Sequence, residues 1–181
     1  MKFFTPKRIV IIIMAIIFII LKFIQNADFN QIIANEKNLI LNTKKIPCRV
    51  VRVIDGDTIE VVILKNKPTE WNTKEKIRLI GVNTPELNKE YFAQEAFEFT
   101  KKELNDKYIE IQIDNISSER DKYGRIIAYV WIDEFLFNQI LIEQGYGWYY
   151  DDFKFNTKKM HYFNLAENYA QINNLGLWQG E

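Results

Sequence analysis

Five runs of six or seven residues, dense in Val and Ile, are cut apart by short polar strings. They span 48–54, 58–64, 76–82, 108–113 and 126–132. Runs this short and this rich in β-branched residues form strands, because helices need ten residues or more to bury a face. The string between the first two, Asp55-Gly56-Asp57, is hairpin punctuation. Helical spacing replaces the strand pattern in three places. One is 91–104, with Phe92, Ala96, Phe99 and Leu104. The others are 136–144, closed by Gly145, and 157–173, ending near Gly176.

The order is therefore β-β-β-α-β-β-α-α. Few, short, tightly connected strands call for a small closed sheet. An α+β architecture with a five-stranded OB-fold barrel and three helices is the common solution. The chain has 181 residues, of which 48% are hydrophobic and 27% charged, enough for one domain with a true core. Residues 47–181 are assigned to that domain and 25–46, polar with scattered Ile and Leu, to a linker or short helix.

Residues 1–24 carry a different signal. Lys2, Lys7 and Arg8 precede an uncharged apolar run from Ile9 to Leu21. Its 13 residues are short for a membrane span of about 20 and match the apolar region of a signal peptide. No small-x-small cleavage site follows, since Gln25 stands before Ala27 and Ile32 before Ala34. With Lys22 snorkelling, the run extends to Ile24 and favours an uncleaved anchor over a cleaved signal. Either way the domain is expected outside the cytoplasm, membrane-anchored or secreted.

Net charge is zero, but the four basic residues before Asp28 conceal a domain of net −4, with 20 basic against 24 acidic groups. Such a domain is no bulk polyanion binder, so any nucleic acid must be gripped by a local cluster. Cys48 stands alone, which excludes an internal disulfide, and there is no Cys/His cluster for zinc. A single His161 and two adjacent serines, Ser117 and Ser118, give a Ser-His-Asp hydrolase little support.

The chemistry lies in three strings: Asp55-Gly56-Asp57-Thr58, Arg78 through Glu86, and Asp121-Lys122-Tyr123-Gly124-Arg125. Each has a plain explanation. Asp-Gly makes turns, Arg78 could sit at a barrel rim with its stem packed, and Glu86 and Arg125 could be solvated loop residues. Together they supply what a phosphodiesterase needs. Asp57 is a candidate cation ligand and Asp55 a turn former. Arg78 and Arg125 are planar, permanent cations suited to grip one phosphate. Tyr123 and Trp148-Tyr149-Tyr150 could stack bases, although Trp148 could equally be core.

In this order and on these elements the strings resemble the thermonuclease, or staphylococcal nuclease, family. The likeness runs from about Arg49 to Trp178. It includes Val53 through Thr58, Glu95-Ala96 with Phe99-Thr100-Lys101-Lys102, and the closing Leu175-Gly176-Leu177-Trp178. The resemblance implies an OB-fold and Ca2+-dependent cleavage of DNA and RNA to 3′-phosphorylated ends. It implies calcium ligation by Asp57, by Asn83 and by the Thr84 carbonyl. Arg78 and Arg125 match phosphate-binding arginines, Glu86 the proposed general base, and Lys122 and Tyr123 residues near the terminal phosphate. Tyr149 and Tyr150 are expected to contact substrate. Asn83 stands where the family commonly has a second metal-binding aspartate, which predicts weaker calcium binding. The chain is expected to be a monomer. The alternatives are a non-catalytic binding module, which keeps the barrel without turnover, and a tethered interaction domain.

Overall fold

The first strand is long because the barrel uses both of its edges. In the computed structural model, which describes residues 44–179, β1 (Ile46–Asp55) pairs antiparallel with β2 (Thr58–Ile63) and with β5 (Tyr108–Ile113). Ile46, Cys48 and Val50 point into the core; then the register shifts and Val53 follows. Without that bulge the alternation would turn charged Arg52 inward. The extra residue restores the phase and bends the strand, so it can serve both sides of a closed sheet.

β2 pairs antiparallel with β3 (Lys74–Leu79), and β3 pairs in parallel with β6 (Ile126–Ile132), which returns antiparallel to β5. The circuit β1-β2-β3-β6-β5 is closed, as the strand order predicts. Ile59, Val61, Ile77, Ile111 and Val130 fill it without solvent exposure. Burial pushes the Cys48 thiol up to about 12, and it donates to the Ile46 carbonyl at 3.4 Å, so it is an inert core residue.

The third run is shorter than its apolar content suggests. It predicts a strand to residue 82, but β3 stops at Leu79 and the chain turns at Gly81, whose φ is +74°. A Cβ there would lie 2.4 Å from the Phe163 ring and 2.7 Å from the Phe155 ring. Only glycine allows both the left-handed backbone and this approach. The apolar residue beyond it joins a separate two-residue strand, β4 (Val82–Asn83), which pairs with β8 (Trp148–Tyr149). A short β7 (Phe135–Leu136) hairpins onto β6.

Three helices brace this frame. α1 (Ala93–Leu104) buries Ala93, Ala96, Thr100 and Leu104, and Thr100 Oγ1 donates 2.7 Å to the Gly56 carbonyl, pinning the first hairpin turn. α2 (Phe137–Glu143) carries the fully buried Asn138. That side chain accepts from Val130 N–H at 2.8 Å and donates to the Ile80 carbonyl at 2.8 Å, tying β6 to the bend after β3. α3 (Thr157–Ile172) starts on Asn156, whose side chain accepts from the Lys158 and Lys159 N–H groups.

The anchor at 1–24 and most of the linker at 25–46 lie outside the described residues. Among the described residues no helix is long and apolar enough to cross a membrane.

Candidate active site

The three strings converge because three separate elements deliver them to one barrel end. The β1–β2 turn brings Asp57 and Thr58, the end of β3 with β4 brings Arg78, Asn83 and Thr84, and the start of β6 brings Arg125. The register places Thr58 opposite Arg78 and Arg78 opposite Ile127. Arg78 therefore lies on β3 and Arg125 immediately before the adjoining β6, and a cleft of about 510 Å³ opens between the strings. Its lining includes Asp55, Asp57, Arg78, Asn83, Glu86 and Arg125.

A continuous polar chain runs through these groups. Asp121 Oδ2 accepts from Arg125 Nε at 2.6 Å, and Arg125 Nη1 donates to Thr58 Oγ1 at 3.1 Å. Thr58 Oγ1 donates to Asp57 Oδ1 at 2.9 Å. Asp57 Oδ2 lies 3.1 Å from Arg78 Nη2, which donates to Asn83 Oδ1 at 2.6 Å. Arg78 Nη1 donates to the carbonyls of Leu79 and Val82 at 2.5 and 2.7 Å. Thr58 is the link that sequence reading passed over. Its strand-opening position, one residue after Asp57, was the available signal.

Arg78 is not a rim residue with a solvated head, the plain explanation of its place in the strand: it is only 4% exposed. A charge so deep stands only because it is paired and hydrogen-bonded. Burial lowers its pKa, Asp57 opposes that shift, and the nearby Arg125 charge adds to it. Each guanidinium already has a carboxylate partner, Asp57 for Arg78 and Asp121 for Arg125, and both line the cleft, where planar cations of this kind suit a phosphate.

Asp55 does form the turn, since its Oδ1 accepts from Gly56 N–H at 2.8 Å, yet it also lines the cleft. Burial raises its pKa, the Asp57 and Glu86 charges add to the rise, and the Gly56 and Leu87 N–H groups oppose it. Glu86 lines the cleft from the loop after Pro85, with its side chain 61% exposed and bonded to Lys89 Nζ. That bond holds its carboxyl below the ordinary glutamate range.

Lys122 and Tyr123 also line the cleft, with the exposed Tyr123 ring 5.3 Å from Arg125 Cζ. Tyr150 also lines the cleft, its ring 5.9 Å from Arg78 Cζ. Tyr149 does not line it: its ring packs edge-on against Phe155, and its backbone pairs with Val82. Alternation on either side of the short β8 turns the two tyrosines apart. Phe153 takes a place beside Tyr150, 5.8 Å from Arg78 Cζ, and its position in a polar loop gave no sequence signal.

The donor set can be tested against a cation. Asp55, Asp57, Asn83, Thr84 and Glu86 offer only oxygen, with no sulfur or imidazole, which suits a hard cation and excludes a zinc-type site. Thr84 N–H donates to Asp57 Oδ2 at 3.2 Å, and Thr84 Oγ1 is buried without a hydrogen-bond partner among the described residues. Among the described residues no group of three Asp, Glu, His or Cys side chains converges. The residues fit a sparsely charged site for a hard cation, which further oxygen ligands would have to complete.

Comparison with known proteins points the same way. The family model for staphylococcal nuclease homologues matches residues 76–180. A thermonuclease of Staphylococcus intermedius is 36% identical over 138 residues, covering 72% of this chain and 74% of that protein. A thermonuclease of Staphylococcus hyicus is 31% identical over 145 residues, covering 76% and 78%. Endonuclease YncB of Bacillus subtilis is 31% identical over 132 residues, covering 70% and 59%. A closed five-stranded barrel, two arginines linked through Asp57 and Thr58, and these relatives agree on one conclusion: the chain belongs to the staphylococcal nuclease family and is a hydrolytic nuclease acting on the phosphodiester bonds of nucleic acid.

Proposed function

We propose that the protein is a calcium-dependent nuclease that cuts DNA and RNA with little sequence specificity, leaves 3′-phosphorylated ends, and works as a monomer outside the cytoplasm on an N-terminal membrane anchor. The observation that carries its chemistry is the unbroken chain from Asp121 through Arg125, Thr58, Asp57 and Arg78 to Asn83. It holds two guanidiniums at fixed positions beside an oxygen-rich wall.

Asp57 and the Thr84 carbonyl would hold the ion, with Asn83 adding at most a neutral oxygen. Bound there, calcium would supply positive charge against the oxygens of the scissile phosphate. Arg78 and Arg125 bind that phosphate from β3 and from the loop leading into β6, and stabilise charge as it builds on phosphorus. Because their side chains are already fixed, little reorganisation is needed at the moment of reaction. Glu86 orients the attacking water; held below its ordinary range by Lys89, it suits a hydrogen-bond acceptor better than a strong base. Lys122 and Tyr123 meet the adjacent phosphate, and Tyr150 and Phe153 offer faces to bases.

The test is degradation of single- and double-stranded DNA and of RNA by the purified full chain, with calcium or with chelator, followed by end-group analysis. Calcium-dependent cleavage to 3′-phosphates is expected. A chelator-insensitive gel shift without cleavage would instead mean a binding module, and 5′-phosphate products would refute the chemistry.

A further inference from the structure

We propose that Asn83 is a positioning residue for Arg78, and that its neutrality lets the arginine pair hold a phosphate before any cation arrives. This rests on the nuclease reading of the cleft and adds what sets the coupling between cation and substrate.

Asn83 Oδ1 receives the 2.6 Å bond from Arg78 Nη2, the same nitrogen that lies 3.1 Å from Asp57 Oδ2. Nη1 is held by the Leu79 and Val82 carbonyls. Two carbonyls, one amide and one carboxylate thus fix both ends of the fork and leave Nε outside the set. The backbone of Asn83 is fixed too. It pairs with Trp148, and its carbonyl packs so closely on Gly147 that a Cβ there would lie 2.5 Å away. Its amide is thereby held toward Arg78.

Each arginine has one carboxylate at ion-pair distance, and Asp55 and Glu86 also line the cleft. Arg78 is matched by Asp57 and Arg125 by Asp121. A carboxylate at position 83 would set a second negative group against Arg78 in a buried site. The cluster would then repel a phosphodiester until a cation neutralised the excess. The amide gives Arg78 the same acceptor without that charge. Phosphate affinity in this chain therefore does not wait for the ion.

Anisotropy of a labelled single-stranded oligodeoxynucleotide tests this on the full chain, in chelator and in calcium, with every protein in the Glu86→Gln background so that the strand survives. Calorimetric titration of calcium alone accompanies it. The protein with Asn83 intact should bind the strand in chelator within about fivefold of its affinity in calcium. Asn83→Asp should lose at least about tenfold in chelator, from the added like charge, and recover when calcium is supplied. Asn83→Ala should weaken the strand about tenfold in both conditions, the worth of a hydrogen bond to a charged group, while calcium affinity by calorimetry stays within about twofold. Two results would overturn the proposal. One is unchanged strand binding by Asn83→Asp in chelator. The other is a tenfold loss of calcium affinity in Asn83→Ala whose strand binding excess calcium restores, the behaviour of a cation ligand. If even the protein with Asn83 intact binds no strand in either condition, the nuclease reading of the cleft falls as well.

Discussion

Replacing Arg78 with Ala separates two quantities that the structure couples. Arg78 is buried, and its loss strands the Asp57 carboxylate with only its Thr58 and Thr84 donors. It also removes the partners of the Leu79 and Val82 carbonyls. Breaking a buried pair from one side costs about 3–5 kcal/mol of folding stability. Arg125 differs: its side chain is 24% exposed, and Asp121 keeps the backbone N–H groups of Tyr123 and Arg125 when the guanidinium is gone. Its truncation should cost about 1.5–3 kcal/mol, the worth of a hydrogen bond to a charged group. Both variants should lose turnover by roughly 10²–10³-fold, the usual effect of removing one preorganised donor. Urea unfolding and single-turnover cleavage of single-stranded DNA, run on the same preparations, read both quantities. Similar destabilisation of the two variants would contradict the burial difference. Near-normal cleavage by folded Arg78→Ala or Arg125→Ala protein would refute the phosphate-gripping role.

Other consequences follow from the same geometry. Glu86→Gln should lower turnover by at least about 10²-fold, yet leave urea stability within about 0.5 kcal/mol because the side chain is solvated; full activity would remove Glu86 from the mechanism. Gly56→Ala would put a Cβ 2.6 Å from Thr84 Oγ1. The clash should cost about 1–3 kcal/mol and reduce cleavage, since Thr84 also donates to Asp57; wild-type stability and rate would show that the turn can yield. Glu75, buried and gripped by both terminal nitrogens of Arg120, has its pKa lowered first by that hydrogen bond. A lowered carboxylate contributes stability in full above the unfolded value of about 4.3, and loses it as pH falls through the folded value. Acid unfolding of Glu75→Gln should therefore show a shallower loss below about pH 4; an unchanged acid profile would mean that the pair adds nothing.

The barrel was legible because alternation and turn chemistry are local. Strand existence, the first hairpin and the three helices follow from β-branched runs, Asp-Gly and apolar spacing. The boundaries were not. The third run reads as one strand through Val82, but Gly81 ends it, for a reason set by Phe155 and Phe163 far along the chain. Asn138 reads as an ordinary helix residue, yet it is buried and satisfied by Val130, Ile80 and Ala128, partners that only the tertiary fold brings near. Within the site, Asp57, Arg78, Glu86 and Arg125 carry their chemistry in their residue types, and the fold places all four around one cleft. Thr58 and Phe153 gain their places only from cross-strand register and loop path. Tyr149 and Tyr150 look equivalent in sequence, but the backbone sends one ring to the cleft and the other to Phe155.

Whether the two arginines grip one phosphate beside the cation is decided by a crystal structure of the Glu86→Gln protein with calcium and a short single-stranded oligodeoxynucleotide. One phosphate should be contacted by both Arg78 and Arg125, with the ion about 2.3–2.6 Å from an Asp57 oxygen. A strand seated elsewhere on the barrel, with Arg78 still closed on Asp57 and no phosphate between the arginines, would contradict it.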